Sequence, residues 1–200
     1  MDICCILMAA GSASRFGENK LLRPFRGTPL YLRALRAIPP DLFSSVVVVT
    51  GCEAIARSAR ELGFAVVIND RPAEGVSRTI RLGLAQAGHC DGALFMTADQ
   101  PLLTAQTLVR LAEAFQKQPA SIMAAGCGEK RGNPCLFPKD LFPELLALTG
   151  DVGGSRVIRA NASRLTLVQT AEAELADCDT PEAFTALEQG DFCEKTEEKP

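Results

Sequence analysis

Three stretches hold the residues that could do chemistry. Residues 9–20 read AAGSASRFGENK, directly after the apolar run ICCILM at 3–8. Ala9, Ala10, Gly11 and Ser12 remove side-chain bulk, so the backbone can approach a ligand, and Arg15 and Lys20 supply positive charge. Backbone N–H groups of such a turn, with two cations, suit a triphosphate. The stretch is not a Walker loop, because Gly11 is followed by Gly17 and lysine comes only at 20, and Gly11-Ser12-Ala13 breaks the GxGxxG fingerprint. Taken alone, it is equally compatible with an ordinary strand–helix turn carrying exposed basic residues.

The second stretch is FMTADQP at 95–101. Asp99, at the end of an apolar run, is placed to hold a hard cation through a carboxylate oxygen. It could instead cap the following helix, although Thr104 suits that role better. The third is DCDTPEAF at 177–184, where Asp177 and Asp179 offer further oxygen ligands. Here the alternative is a helix capped by Thr180, with Pro181 in its first turn and Asp179 just outside. A triphosphate loop plus carboxylates for Mg²⁺, without a Walker lysine, describes nucleotidyl transfer rather than ATP hydrolysis. The only histidine, His89 in GHCDG, reads as a loop residue.

The elements that must position these residues follow from the apolar pattern. Continuous β-type runs lie at 3–8, 45–50, 64–68, 92–97, 121–125 and 164–168. They do not alternate with polar residues, as expected for strands covered on both faces. Helical patterns lie between them at 30–38, 53–63, 76–88 and 104–117, with Gly63 and Gly88 as candidate helix ends. Strand–helix alternation predicts βαβ crossovers and a three-layer α/β/α, Rossmann-like fold with a mainly parallel sheet. Ligands bind beyond the carboxyl ends of such strands. The stretches that follow the strands are AAGSASRFGENK, NDRPAEGVS, ADQP, GEKRGNP and DCDTPE, and these gather glycines, aspartates and basic residues on one rim. A single domain over 1–189 is expected, followed by a charged, frayed tail at 190–200 (GDFCEKTEEKP).

The composition restricts the partners. With 47 % hydrophobic and 22 % charged residues the chain can bury a sizeable core. Its net charge of −3 argues against nucleic acid or an acidic membrane as a general partner, so an anion site must be local. No apolar run approaches the ~18 residues of a membrane span. MDICCILMAAG lacks the basic region of a signal peptide. The eight cysteines contain no CxxC pair, and several sit in apolar runs where a reduced thiol acts as a small hydrophobe. A cytoplasmic protein with free thiols is the expectation.

The opening LMAAGSASRFGENKLLRPFRGTPL resembles the LAAGxSxRxGxxKLL…GxPL start of the MobA-like nucleotidyltransferases, and of their MocA branch of molybdenum cofactor cytidylyltransferases in particular. The resemblance continues through EGVSRTIRLGL (similar to GMSxSLRxGL), DQPLL, RGNPCLFPKDLFPELLALTGDVGG and DCDTPEAF. It implies a nucleotide-diphospho-sugar transferase-like fold and Mg²⁺-dependent transfer of CMP from CTP to the terminal phosphate of molybdopterin, with release of pyrophosphate. A molybdenum hydroxylase would then receive the product.

By the same resemblance Ala9, Ala10, Gly11, Ser12, Arg15, Lys20, Gly75 and Ser77 bind the nucleotide, Arg15, Lys20 and Asp99 are catalytic, and Asp99 with Asp177 or Asp179 holds the metal. Asp177 ranks above Asp179, since it aligns with the late aspartate of related sugar-phosphate enzymes. The MAAG turn favours CTP, because LAGG marks the guanylyl branch. Met8, Val76 and Arg78 depart from the branch pattern, and Glu129, Lys130 and Arg131 could tune the acceptor. The alternatives are a different phosphorylated acceptor, such as a sugar phosphate, or a non-catalytic carrier of the molybdenum cofactor.

Overall fold

Nine strands and seven helices form among the described residues, 1–11 and 19–190, of the computed structural model. The strands are β1 (Ile3–Ala9), β2 (Pro24–Phe25), β3 (Thr28–Pro29), β4 (Ser45–Thr50), β5 (Ala65–Ile68), β6 (Gly92–Thr97), β7 (Ile122–Cys127), β8 (Lys130–Pro138) and β9 (Leu165–Gln169). The helices are α1 (Leu30–Ala37), α2 (Glu53–Glu61), α3 (Val76–Ala87), α4 (Ala105–Lys117), α5 (Phe142–Leu146), α6 (Ser155–Ala160) and α7 (Pro181–Gln189). Seven strands make one sheet in the order β5-β4-β1-β6-β8-β7-β9, and β2 and β3 form a separate ribbon. Within the large sheet every pairing is parallel except those of β8, which runs against both β6 and β7. None of these helices is long and apolar enough to cross a membrane.

The central position of β1 explains its unbroken apolar run. Successive strand residues point to opposite faces. Cys5 and Leu7 join the core on one face, with Leu94, Met96, Leu108 and Phe115. Cys4 and Ile6 join the core on the other, with Val49, Ile80, Phe137 and Leu145. Both sides must therefore be apolar. The cysteines are part of this packing, and burial pushes the Cys5 thiol well above its ordinary range. Seven of them are unpaired among the described residues. Gly83 lets α3 lie directly on β1, since a Cβ there would fall 2.5 Å from Ile6 Cγ2.

The stretch expected to be a rim loop, GEKRGNP, instead turns at Gly128, whose φ is +58°, and begins β8. Gly132 and Pro134 disguise that strand in the sequence. The β7–β8 ladder breaks register between Ala124 and Gly126, opposite residues 132–134, so the N–H that Pro134 lacks leaves no ladder position empty. Because β8 is antiparallel to β6, its first residues emerge at the rim where β1 and β6 end.

A third apolar cluster ties the chain's late segment to its early one. Phe25 and Leu30 pack on Cys178, Phe184 and Leu187, with the rings of Phe25 and Phe184 edge to face at 5.7 Å. Arg26 caps α7, its side chain donating to the carbonyls of Leu187 and Glu188 and its backbone N–H to Glu188 Oε1. Cation and helix C-terminus are favourably matched there.

Glu174 anchors the segment just before this cluster. Its Oε2 accepts from the Thr104 N–H (2.9 Å), the Thr104 hydroxyl (2.8 Å) and the Thr107 hydroxyl (2.7 Å), and its Oε1 accepts from Thr170 (2.7 Å). Burial opposes its charge, but the threonine hydrogen bonds prevail and hold its pKa below the usual glutamate range. Glu174→Ala is expected to cost roughly 2–3 kcal/mol, because it leaves buried donors unpaired. The melting temperature should then fall by about 5–10 °C. With the folded pKa lowered, this stabilisation is in place above the ordinary glutamate value and is lost as pH falls through the folded value. Thermal denaturation should therefore show a deficit at neutral pH that shrinks in acid, and a pH-independent deficit would mean that the carboxylate charge contributes nothing.

Candidate active site

The carboxyl end of β6 brings Asp99 to the rim, and a short 3₁₀ turn at Lys20–Leu22, capped by the Asn19 side chain, brings Lys20 up to it. Lys20 Nζ donates to Asp99 Oδ2 at 2.8 Å and to Asp179 Oδ1 at 2.7 Å. Asp179 arrives from the far end of the chain because the Cys178 N–H donates to the Asp99 carbonyl at 3.0 Å. The Cys178 side chain is buried in the Phe25 and Phe184 cluster, while Asp179 reaches the ammonium group and Asp177 lines the hollow at the start of β8.

Charge is poorly balanced here. Burial works against a charged Lys20, but Asp99 and Asp179 outweigh it and raise its pKa. Asp177 has no such partner. Burial, and then the charges of Asp99 and Asp179, push its pKa up to about 6, against weaker opposition from Lys20 and Gln100. Asp99 Oδ1 is buried without a hydrogen-bond partner. Three carboxylates thus meet one lysine. An orphaned carboxylate oxygen beside a carboxyl that resists ionising is the donor set a hard divalent cation would complete. Among the described residues no three acidic, cysteine or histidine side chains converge tightly enough to hold a metal by themselves.

A cavity of about 240 Å³ opens beside this cluster, with Ala10, Gly11, Lys20, Gly75, Asp99 and Asp151 among its walls. Gly75 is required at its position. Its φ is +86°, and a Cβ would lie 2.3 Å from the Gly150 carbonyl carbon. That close approach joins the start of α3 to the GDVGG stretch: the Ser77 N–H donates to Gly150 O at 3.2 Å and the Val76 N–H to Asp151 Oδ1 at 3.3 Å. Two segments that looked independent in the sequence form one wall.

Ala9 is buried at the end of β1, and Ala10, Gly11, Lys20, Gly75 and Asp99 line the cavity. Ser77 is fully buried behind the wall, where its hydroxyl accepts from Arg81. Ser12 and Arg15 lie outside the described residues. Arg78 turns away toward Asn69, Asp70 and Glu74, binding all three. His89 is exposed, with Lys139 Nζ 2.9 Å from its ring. The sequence reading missed Thr97, whose hydroxyl is buried and unpartnered at the cavity wall, and Asp151. Thr97 ends an apolar strand, and that position was the available signal.

A mainly parallel α/β sheet with helices on both faces, a glycine-lined cavity and carboxylates at its carboxyl rim places the chain in the Rossmann-like class of folds. Residues 5–166 match the MobA-like NTP transferase domain, and the chain belongs to that family of nucleotidyltransferases. It is similar to a molybdenum cofactor guanylyltransferase of Rhodobacter capsulatus, 31 % identical over 94 % of this chain and 96 % of the relative. A nicotine blue oxidoreductase of Paenarthrobacter nicotinovorans is 28 % identical over 93 % of this chain and 98 % of its own. Among solved structures, Rv0371c of Mycobacterium tuberculosis H37Rv is 26 % identical, with a TM-score of 0.76 over 94 % of this chain and 99 % of its own. The same mycobacterial protein has been crystallised in complex with manganese.

Asp177 makes a specific prediction about the protein without divalent ions. Its carboxyl pKa is raised from 3.8 to about 6, so the folded chain holds the proton more tightly than the unfolded chain does. Stability therefore falls as pH rises from about 4 to 6 and stays at the lower level above. Asp177→Asn should melt above the parent at about pH 7.5 and converge with it near about pH 4. A variant less stable than the parent at neutral pH would show that the Asp177 carboxylate is favourably paired.

Proposed function

We propose that this enzyme transfers CMP from CTP to the terminal phosphate of molybdopterin or its molybdenum-bearing form, releasing pyrophosphate. The observation that carries this reading is Lys20 held between Asp99 and Asp179, beside an orphaned Asp99 oxygen and the cavity lined by Ala10 and Gly11. The acceptor needs no activation by a protein nucleophile. Its phosphate oxygen attacks the α-phosphorus in line, the bond to the β-phosphate bridge breaks, and pyrophosphate leaves. Positioning and charge stabilisation do the work in such transfers.

Within this reading Ala9, Ala10, Gly11 and Ser12 bring backbone N–H groups to the triphosphate, Gly75 keeps the opposite wall close, and Ser77 fastens that wall. Arg15 and Lys20 neutralise charge growing on the leaving pyrophosphate. Asp99 and Asp177, with Asp179 in support, would hold Mg²⁺, which supplies Lewis-acid polarisation of the phosphoryl oxygens. Asp177 keeps its rank, because burial and the charges of Asp99 and Asp179 leave its carboxyl in want of a cation, whereas Asp179 is largely exposed. The product is suited to delivery to a molybdenum hydroxylase, and the unpaired thiols fit a cytoplasmic enzyme.

The base is read from Ala10, whose methyl lies on the cavity wall and crowds a purine more than a pyrimidine. The Rhodobacter relative's name favours GTP as the second reading. Pyrophosphate release from each of the four nucleoside triphosphates, with purified molybdenum cofactor as acceptor, separates them. CTP should be turned over fastest, and equal rates or a GTP preference would sink the assignment. With CTP, Asp99→Asn should lose on the order of a hundredfold or more of Mg²⁺-dependent turnover, the scale set by losing one charge-stabilising group. Retention of full turnover would move the metal elsewhere.

A further inference from the structure

The cysteines are the reactive side chains that the proposed function leaves unused. Among the described residues two of them meet. The sulfurs of Cys4, in β1, and Cys90, just before β6, share a hydrogen bond at 3.1 Å. Other buried thiols have different neighbours: Cys5 faces the Met96 sulfur at 3.8 Å, and Cys135 turns to the Gly132 carbonyl at 3.3 Å.

The sheet builds this contact. β1 and β6 are parallel neighbours with Cys4 opposite Ala93, so the turn that leads into β6 lies beside the start of β1. Hydrogen bonds fix it there. The Asp2 N–H donates to Asp91 Oδ2 at 2.8 Å, and the Asp91 N–H donates to the Asp2 carbonyl at 2.7 Å. Cys4 and Cys90 then pack in one apolar core with Val47, Ala87 and Ala93. The sulfurs of a disulfide are about 2 Å apart, so closing one here asks for a movement of about 1 Å.

The two thiols are not equivalent. The hydrogen bond with Cys90, and then burial, push the Cys4 thiol far above its ordinary range. The same bond holds Cys90 below its ordinary value, against the opposition of burial. A sulfur that gives up its proton readily, beside one that keeps it, suits an attacking and a resolving cysteine. Gly88 and His89 are exposed and Asp91 is partly so, which puts Cys90 just beneath the surface. Cys90 itself is only 1 % exposed, so an oxidant must be small to reach it.

We propose that Cys4 and Cys90 form an oxidation site, at which hydrogen peroxide converts the thiol pair into a disulfide. The Cys90 thiolate attacks one peroxide oxygen and the O–O bond breaks. Hydroxide leaves and takes up the proton that Cys90 had released, and Cys90 becomes a sulfenic acid. The Cys4 sulfur then attacks the Cys90 sulfur, the S–O bond breaks, and the hydroxyl departs as water with the Cys4 proton. Two thiols lose two electrons, and one peroxide is reduced to two waters. The bridge joins the amino ends of β1 and β6, whereas the candidate site lies beyond their carboxyl ends. It staples the centre of the sheet without entering the cavity, whichever reaction the site performs. A link across 86 positions restrains the unfolded chain, so the oxidised form is the more stable one.

The test is peroxide treatment of the full, reduced chain, then alkylation of free thiols, intact-mass spectrometry and peptide mapping. The parent should lose the mass of two hydrogens, show a link between the peptides of Cys4 and Cys90, and recover its mass with dithiothreitol. Its melting temperature should rise by about 5–10 °C on oxidation and return on reduction. Cys4→Ala should gain oxygen atoms at Cys90 instead, with no bridge and no such rise, and Cys90→Ala should keep Cys4 reduced. If either variant does not fold, the peptide map of the parent decides alone. An unmodified pair, a link between two other cysteines in its place, or sulfonic acid at Cys90 with Cys4 still free would overturn the site. A bridge that forms without raising the melting temperature would overturn the staple.

Discussion

One ammonium group organises the rim of this molecule. Lys20 reaches it from just after the first loop, Asp99 from the central sheet, and Asp179 from the segment before the last helix. These residues are 79 and 159 positions from Lys20 along the chain, so their meeting depends on the whole fold. The apolar cluster of Phe25, Leu30, Cys178 and Phe184 does the mechanical work behind it. An exposed ion pair alone stabilises by little, and these pairs are only partly buried. The charges are held where they are by packing; packing is not a consequence of the charges.

That division explains why the cluster can be left electrostatically unfinished. Asp177 stays in an environment that raises its pKa, and Asp99 keeps an oxygen without a donor, because the surrounding apolar contacts over-determine the backbone. Such strain is concentrated at functional sites. Contrast Glu174, a carboxylate of similar burial whose oxygens are fully engaged by threonines. One acid is satisfied and structural. Asp177 has no such partner, and Asp99 gives only one of its oxygens to Lys20.

Much of the fold was legible in the chain because its physics is local. The apolar run 3–8 is continuous since β1 is covered on both faces, and Thr104 and Thr180 do cap helices, each accepting from a backbone N–H three residues on. β8 was not legible, because Gly132 and Pro134 look like loop residues until the register break opposite them is known. The contact of Gly75 with Gly150 was equally hidden: each glycine suggests a turn, and only the fold shows that one backbone passes against the other. The candidate site was legible where it follows strand ends, as at Asp99. Thr97 and Asp151 were not, since neither residue type signals anything without its neighbours. The expected roles of Ser12 and Arg15 fall outside the described residues.

On the proposed reading, a chain of net charge −3 that binds a triphosphate and a phosphorylated acceptor must place its positive charge selectively. Arg78 and Arg131 show how. Arg78 sits on the first turn of α3, close to the cavity lined by Ala10 and Gly11, yet Asn69, Asp70 and Glu74 occupy its guanidinium and make it a brace for the loop after β5. Arg131 sits at the start of β8, and among the described residues its hydrogen bonds go to a hydroxyl and a thiol. The two arginines are equally charged in the sequence, but acids on its own loop consume the field of one and leave the other's available. On the proposed reading, the departure from the branch pattern at Arg78 therefore leaves acceptor recognition untouched. The antiparallel strand, unforeseen in the sequence, carries Arg131 to the same rim without such a brace.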